Sequence, residues 1–307
     1  MTALRVEKST PLCLLQDAGR FGVRHLGVTQ GGAADWVSMS WANHLLGNPL
    51  DAAVIEVTLG GLVLEAERDC CLALAGADLG AMLDDRPIAP WRSFFVGQGQ
   101  RLSFAQPVQG ARAYLAAPGG FAAPAVLGSC ATVGREALGG LDGLGKSLAH
   151  GDRLQYAGAS FMLGALPPEQ IPDIGSPAAL DVVLGAQIGQ FSGQSLFDLF
   201  NNDWTLDSRA DRMGIRLLGP ELEYQGQPMI SEGIPLGAIQ VPPDGQPIVL
   251  LNDRQTIGGY PRIGALTPLS LARLAQRLPG STLRLKPMVQ TAAHQQHRAY
   301  AQRFTAR

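Results

Sequence analysis

Four short runs in the second half of the chain gather the side chains best suited to chemistry. They are Ser208-Arg209-Ala210-Asp211-Arg212-Met213-Gly214, Ser231-Glu232-Gly233, Gly237 to Pro247 and Asn252 to Pro261. Their carboxamides (Gln240, Gln246 and Gln255) each donate and accept hydrogen bonds, as recognition of a lactam, urea or ureido group requires. Arg212 can hold a substrate carboxylate through its fork of N–H groups. Asp244 or Asp253 can orient water or accept a proton. We therefore take Asp244, Asp253 and Gln255 as candidate catalytic residues, with Arg212, Gln240, Gln246, Thr256 and Tyr260 around the substrate. A plainer reading stays open, because Pro-Asp-Gly and Asn-Asp are ordinary turn sequences. A second cluster near the start, Gln16-Asp17-Ala18-Gly19-Arg20 followed by His25, adds Gln16, Arg20 and His25 as candidate binding residues; Asp17 and Arg20 could equally pair across one turn.

Other motifs carry less. Gly140-Leu-Asp-Gly-Leu-Gly145-Lys146-Ser147 satisfies the phosphate-loop pattern GxxxxGK[ST]. That loop needs a buried strand before it and a helix after it. Here Gly134, Arg135, Glu136 and Gly139 precede it, and Gly151-Asp152 ends whatever follows, so a glycine-rich connection is expected. His294 and His297 lie three apart on an expected helix with no third ligand beside them, and Cys13, Cys70, Cys71 and Cys130 show no zinc spacing. No metal is expected. No GxSxG elbow is present.

The elements that position these residues read as short strands punctuated by glycine. Val54 to Glu67 alternates in two pieces across Gly60-Gly61, as a hairpin or a bent strand; further strands are expected at 70–75, 113–117, 153–156, 181–184, 248–251 and 282–285. Asp35 caps a helix running to Leu46, with Gly47 placed to stop it. Thr267-Pro268 opens another, on which Leu271, Leu274, Ala275 and Leu278 fall at i, i+3, i+4 and i+7 before Pro279-Gly280. Shorter helices are expected near 195–201 and at the C-terminal end, where one carries Tyr300 and Phe304. With strands dominant and no regular βαβ alternation, a mainly β fold is expected, a β-barrel with a few short helices in two lobes. The proline-rich stretch from Leu163 to Ser176 divides them, giving an N-terminal lobe over 1–165 and a C-terminal lobe over 166–307 that holds the polar runs.

The 307 residues include 38 glycines and 21 prolines alongside 46% hydrophobic residues, which argues for many turns between buried strands rather than disorder. A net charge of −2 offers no electrostatic footprint for nucleic acid or an anionic membrane. Only Lys8, Lys146 and Lys286 are lysines, the other basic residues being arginine. Met1 to Arg20 lacks the apolar core of a signal peptide, and no apolar stretch approaches the roughly 18 residues of a membrane span. A reducing, cytoplasmic setting with buried thiols is the expectation.

Taken in order, the segments LLQDAGRFGVRHLGV, ANHLLGNPLDAAVIEVTLGG, AGADLGAMLDDRPIAPW, YLAAPGGFAAPAVLGS, SRADRMGIRLLGP and SEGIPLGAIQVPPDGQPIVLLNDRQTIGGYPRIG resemble the KipA family, from about Leu14 to Gly264. That family is also described as allophanate hydrolase subunit 2-like, as biotin-dependent carboxyltransferase, and as the C subunit (PxpC) of bacterial 5-oxoprolinase. The resemblance implies a cyclophilin-like β-barrel. It implies work beside a KipI-like subunit (PxpB) and a LamB/YcsF-like subunit (PxpA) in opening 5-oxo-L-proline to L-glutamate at the expense of ATP, bound at a site the sequence does not assign. Two alternatives come with it: a carboxyltransferase moving CO2 from carboxybiotin to urea or a related amide, and a non-catalytic regulator that binds KipI. There is no Met-Lys-Met attachment sequence, so any biotin must arrive on a separate carrier. A chain without carboxylase or amidase modules fits the 5-oxoprolinase component best. One departure stands out: Cys130 occupies the place where relatives tend to have an arginine after Gly-Ser.

Overall fold

A computed structural model describes residues 2–158, 163–176 and 178–304, with side chains for all of these but Thr2 and Ala178. Contacts divide the chain into two units, one of residues 1–21 and 31–175, the other of residues 22–30 and 176–307. The short segment Gly22–Gln30 thus belongs with the second unit, although residues of the first flank it in sequence.

The first unit is built from two antiparallel sheets. One has six strands in the order Arg153–Tyr156, Thr2–Lys8, Val63–Ala66, Arg101–Phe104, Ala81–Leu83 and Arg86–Pro87; the other has five, Cys13–Gln16, Val54–Thr58, Gln109–Ala116, Cys70–Asp78 and Arg92–Val96. Alternation sends Leu4, Val6, Leu64 and Leu102 from one sheet into the same apolar core as Leu15, Ile55, Leu72 and Leu115 from the other. The stretch expected as a hairpin or a bent strand is neither a paired hairpin nor one strand. Val54–Thr58 and Val63–Ala66 lie in different sheets, joined by a corner at Leu59-Gly60-Gly61 whose φ angles are 62, 91 and 83°. A Cβ on Gly60 would lie 2.4 Å from the Ala105 carbonyl oxygen, so the chain can turn between sheets there only with glycine.

Helix α1 (Trp36–Leu45) covers the outer face of strands Cys70–Asp78 and Gln109–Ala116. The Ser38 amide donates to the Asp35 carboxylate at 3.0 Å, and Gly47 follows the helix at φ 70°. Because α1 covers this second face, Glu56 is fully buried between Ile55 and Val57.

The second unit is a closed barrel of seven strands: Ala178–Leu184, Arg262–Leu266, Ala238–Gln240, Ile248–Leu250, Gly214–Leu218, Trp204–Leu206 and Thr282–Met288. Ala178–Leu184 and Thr282–Met288 close it in parallel, and the other pairs are antiparallel. Trp204, Leu180, Ile239, Val249 and Leu285 share its core. Helices α2 (Gly193–Asn201), α3 (Pro268–Ala275) and α4 (Gln290–Ala301) complete the α-helices of the described residues. Helix α3 stops short of Leu278. The Gln276 and Arg277 amides bond back three residues, to Arg273 and Leu274, and this tightened last turn rotates Leu278 off the buried stripe to 37% exposure. No helix among the described residues is long and apolar enough to cross a membrane.

Candidate functional site

Two concavities open on the second unit. The smaller, about 380 Å³, is lined by Asp207, Arg209, Arg216, Gln240, Gln255 and Tyr260 among others. The larger, about 780 Å³, takes Glu221, Glu223, Asp244, several prolines and again Tyr260. Arg216 and Asp244 pair directly, one lining each, so this ion pair and the Tyr260 ring stand between them.

Gln240 ends a barrel strand and is buried, its Nε2 donating to the Tyr260 carbonyl at 3.4 Å. Gln255 comes from the loop after strand Ile248–Leu250. Both carboxamides approach Gly258. A Cβ built there would stand 3.0 Å from Gln240 Nε2, 3.6 Å from Gln255 Nε2 and 2.6 Å from Ile234 Cδ1. Glycine at 258 is what lets the two amides crowd the same backbone. Both side chains line the smaller concavity.

Arg212 and Asp253 meet in a two-bond fork, Nε to Oδ2 and Nη2 to Oδ1, each 3.0 Å. A reacting proton or a substrate carboxylate would have to compete with this pairing. Asp244 does form the turn its sequence suggested: Gly245 N–H donates to the Pro242 carbonyl, and Asp244 Oδ1 accepts from Gln246 N at 3.2 Å. Burial works against its charge, but the Arg216 guanidinium and the Gln246 amide outweigh that and hold its carboxyl below the usual range. Gln246 clasps Gly219 through both ends of its amide, at 3.0 and 3.1 Å. Thr256 gives its carbonyl to Ile234 N–H and to Arg24, and His25 is exposed on a short 3-10 turn, Arg24–Leu26.

Gln16 and Arg20 belong to the first unit and serve its interior. Gln16 Nε2 donates to the Thr132 carbonyl at 3.0 Å, and Arg20 donates to the carbonyls of Val126 and Ser129. Beside them Asp17 accepts from the amides of Gly19 and Cys130, from Ser129 Oγ at 2.6 Å and from the Cys130 thiol at 3.3 Å. Burial, with the Asp17 charge adding to it, pushes the Cys130 thiol up to about 12. Cys13, Cys70 and Cys71 are buried as well, and none of them is in a disulfide. The glycine-rich run Gly140–Ser147 opens no helix, and the Lys146 ammonium is paired with Asp142 at 2.8 Å.

Sequence reasoning missed Asp207, Arg216 and the pair Arg24 and Arg254. Arg209 donates to Asp207 through its side chain and its amide, holding that carboxyl down at about 2. Arg254 is 2% exposed and bonds the carbonyls of Ile234 and Leu251. A polar residue alternating with apolar neighbours, as Arg216 does in Gly214–Leu218, was the available signal for that one. The others depend on contacts distant in sequence. Among the described residues no group of three or more His, Cys, Asp or Glu gathers to hold a metal.

The chain is thus mainly β, with a closed barrel and a hollow lined in part by the carboxamides of Gln240 and Gln255. The chain belongs to the family described as carboxyltransferase domain, subdomain A and B, whose model matches residues 26–287. It is 39% identical over 274 residues to the C subunit of 5-oxoprolinase from Haemophilus influenzae and 36% identical over 275 to that from Escherichia coli, covering 89% of this chain and 87% of each relative. Among solved structures, the urea amidolyase of K. lactis superposes with a TM-score of 0.92 at 26% identity, over 98% of this chain but 20% of that one. TTHA0988 superposes at 0.83 with 34% identity, over 93% of this chain; the present chain spans 56% of its length.

Proposed function

We propose that this chain is the C subunit of an ATP-consuming 5-oxoprolinase, which opens 5-oxo-L-proline to L-glutamate together with KipI-like and LamB/YcsF-like subunits. The observation that carries this reading is the agreement, over nine-tenths of the chain, with two proteins named as the C subunit of 5-oxoprolinase. The smaller hollow supports it chemically. A lactam presents one N–H and one C=O in a plane, and Gln240 and Gln255 bring two carboxamides to one backbone position at its edge. In this reading Arg216, a guanidinium lining the hollow, meets the substrate carboxylate and is shared with Asp244, whereas Arg212, forked onto Asp253, does not line it. Asp244, held by Arg216 at the boundary of the two concavities, orients the water that attacks the lactam carbonyl, while Asp253 lines neither concavity and holds Arg212. Tyr260 closes one side.

Neither the larger concavity nor the phosphate-loop-like run offers a triphosphate a fitting seat. The larger concavity carries Glu221, Glu223 and Asp244, which repel a triphosphate, and the sequence that imitates a phosphate loop opens no helix. Purified chain combined with its two companion subunits is expected to release glutamate from 5-oxoproline. Folded, associated subunits without turnover would refute the assignment.

The resemblance to urea amidolyase supports a second reading, a carboxyltransferase that accepts CO2 from biotin on another protein. Carboxylation of urea or a related amide that avidin abolishes would establish it instead.

A further inference from the structure

The ribbon formed by Glu232–Gly233 and Ile257–Gly258 stands outside the barrel and is paired through two residue pairs only, Glu232 with Gly258 and Gly233 with Ile257. One more bond, from Ile234 N–H to the Thr256 carbonyl at 3.0 Å, extends it. There the ladder must end, because Pro235 has no N–H to offer. So short a ribbon is marginal on its own. Yet its second strand leads directly into Gly258 and Tyr260, the backbone against which Gln240 and Gln255 pack.

Where the ladder stops, Arg24 supplies the missing donors. Its Nη2 lies 2.8 Å from the Ile234 carbonyl, 3.1 Å from that of Thr256 and 3.4 Å from that of Gln255, bridging both strands. Arg254 adds a bond from Nε to the same Ile234 carbonyl at 3.1 Å, and its Nη2 reaches Gln30 Oε1 at 3.5 Å; Thr29 Oγ1 reaches the Arg254 carbonyl at 3.4 Å. The segment Gly22–Gln30 therefore meets the ribbon directly through Arg24, while Thr29 and Gln30 hold Arg254, which shares the Ile234 carbonyl with it.

We propose that Arg24 is a positioning residue: its guanidinium fastens the open end of the 232–234/256–258 ribbon and so sets Gly258 and Tyr260 against the two carboxamides. Its importance for turnover rests on the lactam reading given above; its structural role does not.

Amide hydrogen exchange on the chain alone tests the structural role without any substrate. Arg24→Ala is expected to speed exchange at Ile234 and Gly258, whose amides face the partner strand, by about tenfold or more while the barrel strands stay protected. Millimolar methylguanidinium is expected to restore part of that protection, which a void left by a merely space-filling side chain would not show. In the assembled complex kcat should fall by about 10- to 100-fold with KM changed much less, and should recover with the same cation. Unchanged exchange in the ribbon, or a loss spread evenly over the barrel, would overturn the proposal. Should Arg24→Ala not fold, Arg24→Gln keeps the stem and one donor group, and the same ribbon-confined loss is expected at smaller size. If the wild-type complex turns over no 5-oxoproline, the functional reading fails, and the exchange data still decide the role of Arg24.

Discussion

Arg212 and Asp253 are 41 residues apart in sequence and grip each other three times: twice through the guanidinium fork, at 3.0 Å each, and once from Asp253 N–H to the Arg212 carbonyl at 2.9 Å. The two loops that carry the polar runs are thereby tied together. With side chains 16% and 11% exposed, the pair is partly screened, and losing either partner should cost roughly 2 kcal/mol, below the 3–5 typical of fully buried pairs. A double-mutant cycle with Arg212→Ala and Asp253→Asn, followed by urea unfolding, should show strong coupling. Additive effects would mean that the fork contributes nothing beyond its parts.

Gly258 should resist every side chain. In Gly258→Ala the new methyl meets Ile234 Cδ1 and the Gln240 amide, so the hollow must change shape while the barrel core is untouched. We expect turnover of the assembled complex to drop by roughly 10-fold or more, and the melting temperature to move by only a few degrees. Full activity in this variant would remove Gln240 from the substrate's surroundings.

Asp207 gives the second unit an acid-sensitive element. Its carboxyl, held down at about 2 by the Arg209 side chain and amide, has a lower value folded than unfolded. Its contribution is therefore complete above pH ~4 and disappears as pH falls from there through about 2. Unfolding of wild type and Asp207→Asn should differ most at neutral pH, and the gap should close across that window. A gap independent of pH would contradict the assignment.

Cys130 should be inert. Its folded value of about 12 exceeds that of an ordinary thiol, so the fold favours the protonated form, and the associated stability is complete below pH ~8.5 and is lost as pH rises from there towards 12. Iodoacetamide at pH 8 should label it only after denaturation, as mass spectrometry would reveal. Cys130→Ser retains a donor to Asp17 and should be milder than Cys130→Ala. Rapid labelling of the native protein would show that the thiol is open to solvent.

Tyr114 joins the buried Glu56 to the start of α1. Its hydroxyl donates to Glu56 Oε2 at 2.8 Å and accepts from Asp35 N–H at 2.8 Å, while the Ala34 amide donates to the same carboxylate oxygen. Tyr114→Phe removes a partner from both groups in a fully buried place, and a loss of about 2–3 kcal/mol is expected in chemical denaturation. A change under 0.5 kcal/mol would mean that water takes the place of the hydroxyl.

Local signals carried much of the architecture. Asp35 and Thr267 cap α1 and α3 as their side chains suggested, each accepting from the amide three residues on. Strands expected at 70–75 and 153–156 form, the first running on to Asp78, and the false phosphate loop could be dismissed because no helix had room to follow it. Each of these outcomes depends on interactions within a few residues, which composition and spacing encode directly. The family resemblance added the cyclophilin-like form of the expected barrel and the 5-oxoprolinase assignment.

What escaped the sequence involves partners far along the chain. That Val54–Thr58 and Val63–Ala66 go to different sheets, that Gln246 clasps Gly219, and that Arg24 meets Ile234 across 210 residues are settled by which surfaces the collapsed chain brings together. An arginine in sequence advertises five donors but not their acceptors. Residue types therefore made recognition of a small amide an expectation, whereas the tertiary fold, by setting some guanidinium groups onto carbonyls and others onto carboxylates, decided which side chains line the hollow.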